Sequence, residues 1–373
     1  MAGAGIGGLT LAVALKRRGI PVKVFERAEA LEPAGAGITM QANAMAIFAQ
    51  LGLAKAVRAA GCVLARGEVR TPAGDVVSSY DLLRVEKETG HPVVGIHRGR
   101  LHDVLREAAG DVVEAGAAVR AWADGGSSVR VELEGGSTHE GAVLVGADGL
   151  RSAVRRQLFG DEAPRYHGYT SWRGVARDAA LAQCVTVSSE TMGHGRRFGL
   201  VPIGHGELYW FATDDAPQGE GDGPDPKAAL QQRFRGWHAP IAEAIEATAT
   251  TDLLRTDIFD RDPVERWYRG RVVLMGDAAH PMTPNLGQGG GQAVEDAAAL
   301  ADALADEAEV DQAFVRYEAA RLQRANRVVL DSRLVGNVAQ WSSKPMVALR
   351  TLAFRLTPAK SMHQQLMKLQ RLS

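Results

Sequence analysis

Cysteine is scarce in this chain of 373 residues; only Cys62 and Cys184 occur. They stand far apart and outside any paired spacing, which excludes a disulfide scaffold or a zinc knuckle; both read as buried, inert thiols. An excess of one charge is also lacking, with 43 Lys and Arg against 44 Asp and Glu and a formal net charge of -1. No overall field draws the chain to nucleic acid or to an anionic membrane, so neither is an expected partner. No apolar run approaches the roughly 18 residues of a membrane span, and the Gly-rich start lacks the basic region of a secretory signal. The cytoplasm is the expected compartment. Hydrophobic residues at 46% and charged residues at 23% give a soluble globular composition, long enough for two or three domains or one interleaved unit.

Glycine, by contrast, is plentiful, and its placement is informative. Gly3, Gly5 and Gly8 spell G-x-G-x-x-G ahead of an apolar helix pattern over 9–18, a turn at Gly19 and a strand over 21–26. This is the αβ step of a doubly wound parallel sheet. The glycines permit a tight turn, close approach of a pyrophosphate and close packing of the helix, whose N-terminus offers aligned N–H donors. Glu26 ends the next strand about 20 residues on, where a carboxylate can accept from both hydroxyls of an adenosine ribose. With Arg27 beside it, Glu26 completes the near end of a candidate adenine dinucleotide site. Only Met1 and Ala2 precede Gly3, so the first strand is nearly absent and a truncated start is expected.

Further strands are predicted over 129–133 and 141–146. From 166 to 262 the pattern changes to apolar, aromatic-rich strands, including 198–203 and 207–213 about the turn Gly204-His205-Gly206, which indicates an antiparallel sheet. Residues 271–275 form a short apolar strand before two long helical patterns, 292–306 and 311–340. In 345–372, Leu349, Leu352, Leu356, Leu366 and Leu369 recur near helical spacing with a break at Pro358. Packing against the body is the reading preferred for them over an interfacial membrane helix or a dimer surface.

Four segments now carry a resemblance. Gly146-Ala147-Asp148-Gly149 runs on through Arg151 and Arg155. Gly276-Asp277-Ala278-Ala279-His280-Pro281 continues through Pro284, Gly287, Gly289, Gly290 and Gly291 to Glu295-Asp296-Ala297. The others are His97-Arg98-Gly99-Arg100-Leu101, and Gly35-Ala36-Gly37-Ile38 with Asn43. Together they resemble, over nearly the whole chain, the class A flavoprotein monooxygenases, the para-hydroxybenzoate hydroxylase-like proteins. The fold implied is α/β: a Rossmann-type FAD-binding domain with an inserted, mainly antiparallel β-sheet substrate domain and C-terminal helices. Its FAD-binding domain would be discontinuous, over 1–68, 91–165 and 263–305, with the substrate domain over 69–90 and 166–262 and a helical segment over 306–373.

The resemblance implies bound FAD, and the residue chemistry agrees. Asp277 can accept from ribityl hydroxyls. Gly289 and Gly290, opening a helix, can present N–H groups to N1 and O2 of the isoalloxazine and stabilise its reduced, anionic form. Arg98 would reach FAD hydroxyls or phosphate, Gly37, Ile38 and Gly287 would border the flavin, and Asp148 would meet the pyrophosphate region and NAD(P)H. Pro284 would wall the active site, and His280 reads as structural.

In such enzymes NAD(P)H binds transiently, reduces the flavin and leaves; O2 then gives a C4a-hydroperoxide that oxygenates an aromatic or conjugated substrate, so the protein must chiefly orient the substrate and exclude water. Candidate pocket residues are Arg197, Tyr169, Trp172 and Trp210, with Tyr166, Arg173, Tyr209 and Phe211, although for Trp172 and Trp210 ordinary sheet-core packing is preferred over substrate stacking. Strand alternation puts Arg196 and Arg197 on opposite faces, and Arg197 is the one expected at the flavin, holding an anionic or phenolate-like oxygen. A sheet-edge salt bridge is an equal alternative for it. The subgroup resembled includes urate hydroxylases, 3-hydroxybenzoate 6-hydroxylases and zeaxanthin epoxidases. Monomer and homodimer both stay open, as do a flavin dehydrogenase or reductase without oxygen transfer and a non-catalytic flavin-fold binding protein.

Overall fold

A computed structural model of the chain describes residues 1–30 and 35–372. Its first helix, Ile6–Arg17, starts within the glycine motif, buries Leu9, Leu11, Ala12 and Ala14, and ends on Lys16 and Arg17, where cations suit the helix dipole. Under it lies a short-stranded sheet. Val24–Phe25 pairs in parallel with Val113–Glu114, and Leu144–Gly146 pairs in parallel with Val272–Leu274. Ala2 bridges these two halves, in parallel with both Phe25 and Gly146. Its N–H donates to Val145 at 2.9 Å, and Phe25 donates to Met1 at 2.9 Å. The central strand position, expected to be nearly empty, is therefore filled on both sides by two residues.

The second sheet has seven strands in the order Leu254–Asp260, Arg165–Ala176, Leu208–Asp215, Arg196–Pro202, Ser188–Met192, Arg66–Arg70, Val76–Asp81. All neighbours are antiparallel except Ser188–Met192 with Arg66–Arg70. The expected boundary after residue 68 thus falls inside a strand. Cross-strand register sorts this sheet into two faces. Arg197 faces Thr213, Gly199 faces Phe211 and Val201 faces Tyr209, while Phe198 faces Ala212 and Leu200 faces Trp210. Side chains directly opposite share a face, so the second group packs under Leu230, Phe234, Ile241 and Ile245 as a separate apolar core. The first group turns toward the nucleotide-binding core.

The long helix Val310–Ala339 buries Phe314, Tyr317 and Ala325 in that nucleotide-binding core, so it packs as part of it. Two further helices follow, Lys344–Leu356 and Ala359–Gln370, separated at Pro358 as the sequence predicts. Met362 and Met367 pack inward, but Leu349, Leu352 and Leu356 are exposed, which corrects the expectation that they pack on the body. The cysteines also depart from expectation. Cys184 ends a short helix with no buried residue and is exposed, and Cys62 is half-buried.

Candidate active site

Between the nucleotide-binding core and the inward face of the seven-stranded sheet lies a cavity of about 490 Å³. One wall holds Gly5, Gly37, Ile38, Arg98, Asp277, Pro284, Gly287, Gly289 and Gly290; the opposite wall holds Arg197, Glu190, Tyr209, Phe211, Val201 and Leu254.

The three motif glycines do different things. Gly3 has φ +98°, and a Cβ there would lie 2.4 Å from the Ala147 carbonyl oxygen; a Cβ on Gly8 would lie 2.1 Å from that of Gly3. Both are demanded by packing. A Cβ on Gly5 would meet nothing within 4 Å, although Gly5 lines the cavity. The space a side chain would fill is left open beside the start of a helix, which is what a pyrophosphate needs.

Asp277 follows the strand Val272–Leu274, and its accessible surface lies on the cavity wall. The enclosing protein raises its pKa, a shift opposed by His280 and Arg98. The helix Gly289–Asp306 opens on the same wall with no side-chain cap, so its first N–H groups have no side-chain acceptor. Arg98 is exposed on the cavity wall, and among the described residues no side-chain acceptor bonds its guanidinium. An open glycine turn, a cation, a carboxylate and an uncapped helix start form a donor and acceptor set that fits a dinucleotide carrying a polar ring.

Behind this wall is a buried ionic cluster that sequence reading left unassigned. Asp296 accepts from the Gly276 N–H at 2.9 Å, from His280 Nε2 at 2.5 Å and from Arg321 Nε at 2.8 Å. Burial raises the pKa of Asp296, but the neighbouring His280 and Arg321 outweigh burial and bring it down to about 2. His280 thus sits behind the loop that carries Asp277, as its structural reading required. Asn43 donates to Glu295 Oε1 at 2.6 Å and to Gln288 at 3.0 Å, tying the flavin-side loop to the helix start.

On the opposite wall Arg197 is only 3% exposed and has a partner at each of its three guanidinium nitrogens, leaving two N–H groups unengaged by these bonds. Its Nε donates to Gln340 at 2.6 Å, Nη1 to Glu190 at 3.0 Å and Nη2 to Asn285 at 2.8 Å, and its guanidinium lies 5.6 Å from the Tyr169 ring centroid. Arg197 thus lines the cavity and carries a salt bridge to Glu190, and that bridge lies mid-sheet and not at the sheet edge that the sequence reading offered. Tyr169 stands behind it and bonds Asn285, off the cavity surface. Glu190 and Gln340 were missed, because nothing local marks residues whose partner is brought in by sheet register or by a distant helix end.

Several expected site residues lie elsewhere. Trp172 and Trp210 are buried on the far face of the sheet, where Trp172 Nε1 donates to Asp222 at 2.7 Å and Trp210 Nε1 to Thr248 at 2.8 Å. Alternation places them with Phe198, while their strand neighbours Arg173, Tyr209 and Phe211 line the cavity. Asp148 does not reach the cavity either. It accepts from the Ser152 hydroxyl at 2.5 Å and from the N–H groups of Ala153 at 2.8 Å and Val154 at 3.3 Å, capping the helix Ala153–Phe159. Glu26 accepts from Ala4 N–H at 2.8 Å and Ala28 N–H at 3.0 Å, bracing the glycine turn from outside, and Arg27 is exposed beside it. Among the described residues no group of His, Cys, Asp or Glu is arranged to hold a metal ion.

Residues 1–332 match the family described as FAD binding domain. The chain belongs to that family. This flavoprotein is 52% identical over 344 residues to the aurachin C monooxygenase/isomerase of Stigmatella aurantiaca, covering 92% of this chain and 90% of that protein. It is 39% identical over 314 residues to the chloroplastic zeaxanthin epoxidase of Nicotiana plumbaginifolia, covering 81% of this chain but 47% of the epoxidase. Among solved structures, Klebsiella pneumoniae HpxO complexed with FAD and uric acid superposes with a TM-score of 0.93 at 29% identity, covering 99% of this chain and 95% of that one. The flavoprotein is therefore an FAD-dependent oxidoreductase of the monooxygenase type, and among its described residues no helix is long and apolar enough to cross a membrane.

Proposed function

We propose that this flavoprotein, in the cytoplasm and as a monomer or homodimer, uses NAD(P)H and O2 to hydroxylate or epoxidise a small aromatic or conjugated substrate. In balance, substrate, O2, NAD(P)H and one proton give oxygenated substrate, water and NAD(P)⁺. The observation that carries this reading is one continuous cavity, with a dinucleotide-type wall on one side and an aromatic, Arg-bearing sheet face on the other.

FAD, when bound, supplies hydride acceptance and oxygen activation. Gly5 leaves room for its pyrophosphate, Arg98 and Asp277 suit its phosphate and hydroxyl groups, and Gly287, Gly289, Gly290, Gly37 and Ile38 would enclose the ring. Glu26 keeps lone pairs beyond its two backbone bonds for the adenosine ribose. Gly3, Gly8, Arg27 and Asp148 support this end of the site from outside the cavity.

Pro284 limits the loop beside the ring, and Tyr209, Phe211, Val201 and Leu254 keep the substrate side dry. Glu190 offsets the charge of Arg197. The pocket therefore favours a largely neutral ring whose one polar oxygen meets a remaining Arg197 N–H. The chemistry is tested by incubating the FAD-loaded protein, NAD(P)H and candidate aromatic or conjugated compounds under isotopically labelled O2. One labelled oxygen in the product is expected. Reduced-cofactor consumption that yields only hydrogen peroxide, or a product oxidised without added oxygen, would overturn the proposal.

A further inference from the structure

The helix Lys344–Leu356 presents its apolar side to solvent. Met346, Leu349, Leu352 and Leu356 are 40%, 58%, 51% and 70% exposed, whereas Arg350 is 3% exposed. At about 100° per residue, the four apolar side chains fall on one arc of roughly 120°. Arg350 falls outside that arc, about 100° from its centre, and turns inward, donating to the carbonyls of Ala339 at 2.5 Å, Val338 at 3.4 Å and Gly193 at 2.6 Å. These bonds fix the helix's rotation, since rolling the leucines inward would strip a buried guanidinium of its acceptors. The outward stripe is thus a product of the fold.

Charge singles out the same segment. Residues 332–373 hold seven Lys and Arg and no Asp or Glu, in a chain whose net charge is -1. Lys344 and Arg355 are exposed on the same helix, on the Leu352 flank of the arc, and Lys360 and Lys368 are exposed on the helix that follows. We propose that this face docks the enzyme on the surface of an anionic lipid bilayer, with the leucines at the boundary between headgroups and acyl chains and the flanking cations against lipid phosphates. At 13 residues the helix lies along the surface and does not span it. A second copy of this chain suits the face poorly, because two-fold pairing would set the same basic helices against each other. The docked face also adjoins the substrate wall, since Gln340, just before it, accepts from Arg197 at 2.6 Å. The neutral overall charge gave no hint of a membrane partner, because an acidic remainder masks the basic segment.

The test is co-sedimentation of the full FAD-loaded chain with vesicles of phosphatidylglycerol and phosphatidylcholine, against vesicles of phosphatidylcholine alone. Binding to the anionic vesicles is expected. It should fall roughly tenfold for each of Leu349→Ser, Leu352→Ser and Leu356→Ser. A Lys344→Gln/Arg355→Gln/Lys360→Gln variant should lose the preference for anionic lipid. Because the altered side chains are exposed, circular dichroism and FAD content should match the parent. No sedimentation with anionic vesicles, or equal sedimentation of the leucine variants, overturns the proposal. A solution dimer that the leucine variants dissociate overturns it too, assigning the face to a second copy.

Discussion

Arg197 donates from Nη2 to Asn285 Oδ1 at 2.8 Å, and this bond fastens the seven-stranded sheet to the loop after the strand Val272–Leu274. Asn285 also donates to Tyr169 at 3.1 Å, Thr283 at 2.8 Å and the Ser332 carbonyl at 3.1 Å. The loop that borders the flavin side of the cavity is therefore held from the substrate side, so a change at Arg197 is felt at both walls.

Arg197→Ala should raise hydrogen peroxide release per NAD(P)H oxidised several-fold and cost about 2 kcal/mol of stability, less than a fully buried ion pair because Glu190 can be resolvated. Arg197→Lys should not restore coupling, since one ammonium cannot reach Gln340, Glu190 and Asn285 together. An unchanged peroxide ratio in both variants would leave Arg197 with a packing role alone.

The glycine motif separates folding from cofactor binding. Gly3→Ala places a side chain at φ +98° against the Ala147 carbonyl and should lower stability by about 2–3 kcal/mol even without FAD. Gly5→Val fills open cavity, so thermal unfolding of the FAD-free protein should barely move while FAD affinity drops at least tenfold. Normal FAD content in Gly5→Val would remove the pyrophosphate from that position.

Asp296 gives a pH signature. Its folded pKa of about 2 lies below the ordinary aspartate value of 3.8, so its stabilising effect is complete above the ordinary value and is lost as pH falls through the window between the two. Acid unfolding should steepen there. Asp296→Asn should be less stable near neutrality and lose that part of the pH dependence, as read from denaturant midpoints across the acid range.

Trp210 and Trp172 supply the contrast. Trp210→Phe removes the indole bond to Thr248 and should cost about 1–2 kcal/mol without altering the coupling ratio. Trp172→Phe should likewise leave coupling intact. Increased peroxide release from either would contradict their placement on the far face.

Features that depend on short stretches of chain were legible beforehand. The G-x-G-x-x-G turn, the Gly-Asp motif after its strand, the break at Pro358 and the opposite facing of Arg196 and Arg197 each follow from backbone sterics or a two-residue period. Local pattern could say that Trp210 and Tyr209 face opposite ways, but it carried no information on which side met the nucleotide-binding core. That choice depends on register between strands distant in sequence, such as Arg197 opposite Thr213. The meeting of Arg197 with Gln340, the Asp296 cluster reaching Arg321 and the outward turn of Leu349 under the hold of Arg350 had the same origin. Sequence alone indicated the cofactor class through short motifs that resemble those of a flavoprotein family; tertiary structure decided which side chains share the cavity and which are left on the surface, because those contacts close only when remote segments pack.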